Sequence, residues 1–476
     1  MTTAVVVGSG PNGLAAALTL AAAGVEVVVH EAATTPGGGA RSAELTLPGL
    51  LHDECSGFHP FATDSVFARA VDLGAHGLEW AWPDVQYAHP LDGGRGAAAV
   101  RSVAETARAL GADERRWAGF LGPVVDRFDT IAEEFLQPLL HVPRHPLDLA
   151  RLGLRAPLPA AATARLFRTD EARALWAGLA AHGFTSFGTP LSSAIGTALG
   201  AAAHRYGWPV ARGGSRAIVD AALGLLDRLG GRVELGSRVE DLRDLGPADV
   251  VMLDTAPAVA ARIGEHVLPA GTLRAYRRFR HGPAAFQLAL AVEGGLPWTY
   301  EPATRAGTVH VAGSYAETAR AERLVSRGIM PERPFVLLGQ QHVADPSRGR
   351  DGIVPVDCYA HVPHGFTGDA TEAVLAQVER FAPGARERIL AVVPRSPLAI
   401  EAHNPNFVGG DIVTGLKSPV QLLLGPRRHP DPYATGADGI YLCSAAVPPG
   451  PGAHGVGGHL AALAALRRLR VGPAVG

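Results

Sequence analysis

The sequence has almost no lysine. Lys417 is its only one, and every other of its 43 basic residues is arginine. Any reaction that needs a catalytic lysine must therefore use Lys417 or does not occur in this chain. No block of basic residues stands out, and the formal net charge is −2, so a nucleic-acid surface is not expected.

Cysteine is also scarce. The chain has only Cys55, Cys358 and Cys443, and no two of them have CxxC spacing. This pattern excludes a redox-active disulfide of that type and a thiolate zinc site. Lone thiols suit a reducing compartment, so the sequence predicts a cytoplasmic protein. His361 and His364 lack a third ligand at a suitable spacing, and no metal is predicted.

Long uncharged runs are limited to the opening segment. Its 22 residues from Ala4 to Val25 would be long enough to cross a bilayer as a helix. Only Met-Thr-Thr precedes them, so the basic region of an export signal is missing. The periodicity also changes along the segment, from "AVVVG" through "NGLAAALTLAAAG" to "VEVVVHE". This change predicts strand, turn, helix and strand rather than a membrane span.

The turn of this segment carries a GxGxxG pattern. Gly8 permits the tight turn, Gly10 lets the backbone approach a pyrophosphate, and Gly13 lets helix and strand pack closely. Pro11 and Asn12 complete the loop at the start of the helix, whose free N–H groups attract an anion. The pattern predicts dinucleotide binding.

Two further features indicate which dinucleotide is bound. Glu31 lies 23 positions after Gly8, at the end of the second strand, where a carboxylate accepts hydrogen bonds from ribose hydroxyls and repels a 2′-phosphate. A second turn, "GGGARS", follows and contributes Gly38, Gly39, Arg41 and Ser42. A plain NAD domain does not need this turn, whereas in flavoproteins such a turn lies along the dinucleotide and its arginine can bind phosphate. The alternative is an ordinary surface turn.

The C-terminal region predicts the flavin end of the site. "GIYLCSA" is typical of a strand and ends at Ser444, and "GVGGHLAALAALRRL" is typical of a helix that begins near Gly455 and Val456. The dipole of this helix can stabilise negative charge on a flavin ring. Alternatively, the helix only closes the fold.

Five segments together carry a family resemblance: "VVVGSGPNGLAAALTLAAAGVEVVVHEA", "GGGARSAELTLPGLLHDECSGFHPF", "GWPVARGGSRAIVDAAL", "EAHNPNFVGGDI" and "YLCSAAVPPGPGAHGVGGHLAA". The chain resembles the phytoene desaturase-like FAD-dependent oxidoreductases, in the broad branch labelled NAD(P)/FAD-dependent oxidoreductase. The resemblance implies FAD as cofactor and places the backbone near Val239 against the adenine.

The predicted fold class is α/β: a Rossmann-type FAD-binding domain of discontinuous segments, plus a mixed α+β substrate domain with a helical cover. We expect residues 1–85, 205–265 and 400–476 in the first domain, and residues 86–204 and 266–399 in the second. Strands are predicted at "RVELGSRV" and "ADVVMLDT" in the first domain, and at "AAFQLALAV", "GTVHVAG", "PFVLLGQQ" and "PVDCYAHV" in the second. No second GxGxxG lies between a strand and a helix, so a dedicated NAD(P)H domain is not expected.

Candidate catalytic residues are few. His59, before a proline in the segment expected near the flavin ring, and His454, before the last helix, are the candidates, and each also has a structural interpretation. "EAHNPNFVGGDI" is either a polar network that caps a loop or a group that faces flavin or substrate. Lys417 lies outside the motifs, which argues against an amine oxidase that uses a lysine.

We therefore predict an FAD-dependent oxidoreductase (a dehydrogenase, desaturase or reductase) that moves a hydride between flavin N5 and an extended apolar or polyene-like substrate. The alternatives are an FAD-dependent oxidase or isomerase of a small polar metabolite, and a non-catalytic accessory protein stabilised by flavin. The Arg-rich helices at 150–175 form either a solvated face or a peripheral membrane contact.

Overall fold

A computed structural model describes residues 2–470 of the chain. Its strands, in chain order, are β1 (Thr3–Val7), β2 (Glu26–His30), β3 (Ser42–Ala43), β4 (His52–Asp53), β5 (Trp80–Ala81), β6 (Val85–Pro90), β7 (Gly96–Ala99), β8 (Val210–Ala211), β9 (Arg232–Glu234), β10 (Val250–Leu253), β11 (Ala284–Glu293), β12 (Ala306–Val311), β13 (Val336–Gly339), β14 (Ile353–Val362), β15 (Ile389–Arg395) and β16 (Ile440–Leu442).

The α-helices are α1 (Pro11–Ala22), α2 (Val66–Ala70), α3 (Val103–Ala109), α4 (Glu114–Val125), α5 (Phe128–Phe135), α6 (Pro146–Gly153), α7 (Ala160–Ala164), α8 (Asp170–Ala181), α9 (Ser192–Arg205), α10 (Arg216–Arg228), α11 (Pro257–Ile263), α12 (Ala270–Arg277), α13 (Tyr315–Val325), α14 (Thr371–Phe381), α15 (Ala385–Arg388), α16 (Pro397–His403), α17 (Pro419–Leu424) and α18 (Val456–Leu469). Seven of them, α3 to α9, follow one another between β7 and β8, and the others lie between the remaining strands or after the last one.

A five-stranded parallel sheet, in the order β16-β10-β1-β2-β9, contains the first glycine turn. Its central strand β1 is the first in the chain, and it pairs with β10 on one side and β2 on the other. Parallel strands need crossover connections, and α1 supplies the one between β1 and β2. The carboxyl ends of strands that are distant in sequence therefore meet at one edge, where ligands bind in open α/β sheets.

A seven-stranded mixed sheet, in the order β15-β11-β14-β13-β12-β6-β7, forms the second layer. One face packs against α14 and its neighbours, and the other packs against the helices between α3 and α9. The α/β fold class, with a parallel sheet and a mixed sheet beneath a helical cover, is confirmed. The domain boundaries stay a prediction, and residues 471–476 of the first predicted domain lie outside the described residues.

The two sheets differ in how well the sequence predicted them. The strands β1, β2, β10 and β16 and the helices α1 and α18 lie where the patterns place them. The strand predicted over "RVELGSRV" is shorter, because β9 ends at Glu234 and the chain then turns at Gly236, where φ is +66°. The sequence analysis missed β6, β7 and β15, all of which belong to the mixed sheet.

Candidate cofactor and substrate site

The first glycine turn has the geometry expected of a dinucleotide loop. Gly8 has a φ of +102°, and its N–H donates to the carbonyl of His30 at 2.8 Å, so the turn joins the ends of β1 and β2. Gly10 is the N-cap of α1 and provides no side-chain cap. A Cβ at Gly13 would lie 2.1 Å from the carbonyl oxygen of Gly8, so only glycine fits there.

Asp254, at the end of β10, faces this turn. Its carboxylate accepts the Gly13 N–H at 3.0 Å, and the Gly10 N–H also donates to it. Burial, together with the nearby carboxylate of Glu31, raises the pKa of Asp254 to about 7 against the opposing effect of the Gly13 and Gly10 N–H groups. The Asp254 carboxylate therefore accepts hydrogen bonds from the same N–H groups that a GxGxxG turn is expected to donate to a pyrophosphate. The sequence analysis assigned this strand but gave Asp254 no role.

Glu31 lies at the end of β2 and is buried. Its carboxylate accepts hydrogen bonds from the Ser9 N–H at 2.9 Å, the Ser9 hydroxyl at 2.6 Å and the Ala33 N–H at 2.8 Å. The carbonyl of Glu31 accepts the Ser237 N–H at 2.8 Å, which brings the chain before Val239 to the same edge. Contacts of Glu31 with ribose and of Val239 with adenine stay predictions.

The second glycine turn packs directly on the first. A Cβ at Gly38 would lie 3.0 Å from the Cα of Gly10, and a Cβ at Gly39 would lie 3.0 Å from the ring of Phe407. Ser42 donates to the carboxylate of Asp53 at 2.7 Å. The two glycine turns therefore form one continuous backbone surface.

Arg41 has a different environment from the one its pattern suggested. Its guanidinium donates to the carbonyl of Thr35 at 2.7 Å and lies 3.7 Å from the carboxylate of Glu31. It also donates to the carbonyl of His403 at 3.3 Å. These contacts hold the second glycine turn in place, and binding of a phosphate by Arg41 stays a prediction.

The N-terminus of α18 lies beside α1. Asn12 accepts the Gly458 N–H at 3.2 Å through its side-chain oxygen, and a Cβ at Gly458 would lie 1.8 Å from the Asn12 carbonyl oxygen. Gly455 has a φ of +67° and provides no side-chain cap for α18, which begins at Val456. Ser444, just after β16, is buried. The first and last motifs of the chain thus meet.

His454 is held by the backbone around it. Its Nδ1 accepts the Val456 N–H at 3.2 Å, and the carbonyl of Pro451 is also within hydrogen-bonding reach of the ring. Burial lowers the pKa of His454 to about 4, so the ring is neutral near pH 7. These contacts favour the structural interpretation of His454, as a neutral cap of α18.

His59 retains an unpaired nitrogen. Its Nε2 lies 2.9 Å from the hydroxyl of Ser215, while its Nδ1 is buried and has no hydrogen-bond partner within the part of the chain that the structure describes. The ring packs at 5.6 Å on the indole of Trp80. Burial lowers the pKa of His59 to about 4. The free nitrogen is enclosed by the protein, and His59 lines neither of the two cavities described below.

These observations form a test of whether FAD fits. Glycine occupies each point where the backbones of the two turns and the two helix starts approach one another. Gly10 and Gly455 bring no side chain of their own to the two helix starts, although Asp254 accepts the Gly13 N–H and His454 accepts the Val456 N–H there. The residues therefore fit an FAD that extends from Glu31 past the glycine turns to the start of α18.

Two cavities bear on where a substrate can bind. The larger, of about 240 Å³, joins the start of α1 to the loop before α18 and is lined mostly by apolar side chains such as Phe67, Trp80 and Ile218, with His454 at one end. The smaller, of about 60 Å³, lies between the mixed sheet and the segment 53–58. Its polar lining residues are Asp53, Glu54, Gln287, Gln341, Asp357, Tyr359 and Arg395.

A buried ionic network lies behind the smaller cavity. Arg348 is fully buried and pairs with Asp53 at 2.5 Å and with Asp345 at 3.3 Å. Asp357 accepts the backbone N–H of Asp53 at 3.0 Å and a hydrogen bond from the Nδ1 of His52 at 2.7 Å if that nitrogen carries the proton. The network fixes the segment after the second glycine turn against the mixed sheet. Only His52 and Asp53 belonged to a segment that the sequence analysis singled out.

The polar segment "EAHNPNFVGGDI" is largely a structural network. Glu401 accepts the Gly409 N–H at 2.9 Å, and Asp411 accepts the Gly282 N–H at 2.8 Å. Asn406 accepts the Ala256 N–H at 2.7 Å, which ties the loop to the chain after Asp254. The same loop places Phe407 on the second glycine turn. The alternative, in which the segment faces flavin or substrate, stays a prediction.

Lys417 lies in the loop after this segment. Its ammonium donates to the carbonyl of Val413 at 2.6 Å, and it lines neither cavity. Burial lowers the pKa of Lys417, and the carboxylate of Asp411 partly opposes this shift. The argument against an amine oxidase that uses a lysine therefore stays a prediction.

A cluster of neutral histidines lies under the helical cover. The Nε2 atoms of His182 and His310 are 3.0 Å apart, so one ring donates and the other accepts. Burial lowers the pKa of His182 to about 3 and that of His89 to about 4. Among residues 2–470, no group of three or more His, Cys, Asp or Glu residues is arranged to hold a metal ion.

The comparisons with known proteins agree with this geometry. The family model of flavin containing amine oxidoreductases matches residues 12–283, more than half of the chain. No curated protein matches the chain.

Solved structures resemble the chain over nearly its whole length. An oxidoreductase from Methanosarcina mazei is 14% identical, with 98% of this chain and 100% of that chain covered and a TM-score of 0.61. A double mutant of putrescine oxidase is 16% identical, with 98% and 99% covered and a TM-score of 0.63. Cyclohexylamine oxidase from Brevibacterium oxydans is 15% identical, with 98% and 99% covered and a TM-score of 0.59. At these identities the likeness shows the fold.

Proposed function

The chain belongs to the family of flavin-containing amine oxidoreductases and is an FAD-dependent oxidoreductase; from that premise we propose that it oxidises a small polar substrate. The substrate would bind in the cavity of about 60 Å³ between the mixed sheet and the segment 53–58. This proposal corresponds to the second of the sequence-based alternatives.

The lining of that cavity carries the proposal. Gln287 and Tyr359 project into it from neighbouring strands of the mixed sheet, and Glu54 and Arg395 line it together. The Glu54 carboxylate and the Arg395 guanidinium are 3.5 Å apart. Substrate sites are fixed by a few convergent polar groups, and a small cavity of this kind suits a compact polar molecule better than an extended chain.

The two-electron chemistry belongs to FAD when it is bound. The protein holds and orients the reactants. The two glycine turns and Glu31 bind the dinucleotide portion. Gln287 and Tyr359 orient the substrate by hydrogen bonds. His59, whose pKa burial lowers to about 4, is neutral at physiological pH, and it lines neither cavity. A direct contact of His59 with flavin or substrate therefore stays a prediction.

Anaerobic bleaching of the flavin absorbance band tests the proposal. Small polar compounds, with primary amines first among them, should reduce the flavin of the purified holoenzyme. Gln287→Leu should lower kcat/KM for the active compound about tenfold, because one hydrogen bond to a bound substrate is worth about 1–1.5 kcal/mol. Gln137→Leu, a substitution outside the cavity lining, serves as the control. If the Gln287→Leu variant has the same kcat/KM as the wild-type enzyme for the active compound, the proposal is contradicted.

A second candidate is the apolar or polyene-like substrate implied by the resemblance to phytoene desaturase-like enzymes. The larger cavity favours it, because Phe67, Leu78 and Ile218 give it a mostly apolar wall. The same assay with long-chain and polyene compounds separates the two candidates. A substrate in the larger cavity predicts that Ala222→Phe blocks reduction of the flavin while Gln287→Leu does not.

A further inference from the structure

Large apolar side chains are exposed in unusual number between α5 and α8. Val142 is 90% exposed, Leu147 81%, Leu154 75% and Leu140 65%. Soluble monomers seldom expose contiguous apolar surface, and where they do it marks an interaction site. The exposed apolar residues of this region form what we call the 139–166 patch: Leu139, Leu140, Val142, Leu147, Leu154, Leu158 and Leu166.

The patch is held in a defined orientation. Leu152, on the opposite side of α6, is buried in a core with residues of α4, α5 and α9. Leu147 and Leu154 are seven positions apart and lie on one face of the helical turns, so both point outward. Buried Glu134 accepts the backbone N–H of His145 at 2.7 Å and fixes the loop before α6. The exposure is therefore built into the fold.

The charge of this region sets it apart from the rest of the chain. Residues 136–168 contain five arginines and one aspartate, a formal charge of +4, while the whole chain carries −2. The single aspartate, Asp148, already lies 3.6 Å from Arg151 and accepts a hydrogen bond from Thr130 at 2.8 Å. Exposed Arg144 and Arg168 add positive charge beside the apolar side chains.

We propose that the 139–166 patch docks the protein on the surface of an anionic lipid bilayer. Apolar side chains that enter the boundary between headgroups and acyl chains, flanked by arginines that bind lipid phosphate, are the features of an interfacial anchor. No helix within residues 2–470 is long and apolar enough to cross a membrane, so the contact lies on the bilayer. In a symmetric dimer through this patch, the positive charges of one copy would face those of the other and repel them. A second copy of the chain is therefore disfavoured as the binding partner.

Sedimentation of the full-length holoenzyme with vesicles tests this inference. Vesicles of phosphatidylcholine mixed with phosphatidylglycerol should bind the protein, and vesicles of phosphatidylcholine alone should bind it much more weakly. Raising the salt concentration should weaken binding, because exposed charges are screened. Arg144→Gln should weaken it about fivefold, since one arginine near an anionic surface contributes about a factor of five at low salt.

The apolar part is tested with the double variant Leu147→Ser and Leu154→Ser, which should abolish most of the binding. Leu398→Ser is the matched control, because Leu398 is 73% exposed on α16, outside the patch. Unchanged flavin absorbance and near-UV circular dichroism show that each variant is folded.

Failure of the wild-type protein to bind the mixed vesicles overturns the inference. An equal loss of binding in Leu398→Ser also overturns it. A third outcome, a dimer in analytical ultracentrifugation that the double variant dissociates while vesicle binding stays unchanged, assigns the patch to a second copy instead. The inference is independent of the proposed substrate, because vesicle binding is measured without turnover.

Discussion

The carboxylate of Asp254 lies 3.0 Å from the backbone nitrogen of Gly13, at the N-terminus of α1. The positive end of this helix and its free N–H groups attract the pyrophosphate of a dinucleotide. If the pyrophosphate of FAD binds at this turn, as the sequence predicts, it competes with Asp254 for the same donors. Because burial raises the pKa of Asp254 to about 7, its charge changes near neutral pH.

We expect FAD binding to weaken as the pH rises through about 7. Below this pH Asp254 is neutral and does not repel the pyrophosphate, and above it the ionised carboxylate does. Glu31 also faces this site and favours the neutral form of Asp254, while the N–H groups of Gly10 and Gly13 favour the charged form. If only the neutral form binds FAD, affinity falls up to about tenfold per pH unit above the pKa.

Fluorescence titration of the apoprotein with FAD across this pH range measures the effect. Asp254→Asn keeps an acceptor for the Gly13 N–H but does not titrate, so its affinity should not change with pH. Asp249→Asn, five positions earlier and outside the turn, should keep the wild-type pH dependence. The same pH dependence in Asp254→Asn would remove Asp254 as its source.

The contact between the two glycine turns predicts which glycines tolerate a methyl group. Gly38→Ala should reduce FAD binding and destabilise the fold by about 1–3 kcal/mol, since its φ is +54° and the new Cβ would press on Gly10. Gly224→Ala, within α10, has no atom within 4 Å of the new Cβ and should stabilise the protein by about 0.5–1 kcal/mol. Chemical denaturation measures both, and equal effects of the two variants would contradict the packing described.

The buried position of Arg348 predicts a large stability effect. Arg348→Met leaves Asp53 and Asp345 buried without their cation, so we expect a loss of about 3–5 kcal/mol in the free energy of unfolding. The control is Arg350→Met, because Arg350 pairs with Asp351 on the surface and such a pair contributes about 0–1 kcal/mol. Urea denaturation measures both losses. A loss below about 1 kcal/mol for Arg348→Met would show that the network is open to water.

The buried histidines predict sensitivity to acid. His204, like His89, is neutral in the folded protein, because burial lowers its pKa to about 4, while an unfolded chain protonates histidine near pH 6.5. Between these values the unfolded state binds more protons, so the free energy of unfolding falls as the pH falls. Each such group contributes about 1.4 kcal/mol per pH unit.

Denaturation at a series of pH values checks this slope. His204→Leu should make it shallower by about 1.4 kcal/mol per pH unit. His429→Leu, at an exposed position, is the control and should leave the slope unchanged. If the free energy of unfolding of His204→Leu changes with pH as steeply as that of His429→Leu, then His204 is not buried as a neutral ring.

The sequence predicted the five-stranded sheet well because its signals are local. Short stretches of sequence predict each element and its role. They are the glycine spacing around Gly10, the run of β-branched residues before Glu31 and the glycine-rich start of α18. Asp254 had no such signal, because its importance arises only when β10 pairs with β1 and brings it to the turn. Arg348 and Gln287 were missed for the same reason: their partners lie far away along the chain.

The pairing of β1 with β10 and the packing of α1 on α18 also have a consequence for biosynthesis. The first strand and helix leave the ribosome early, yet β10 begins at Val250 and α18 at Val456. Until those residues are made, the alanine- and leucine-rich surface of α1 lacks the partners that cover it. We therefore expect FAD to bind only after α18 has been made, because the first glycine turn and its packing partners are complete only then.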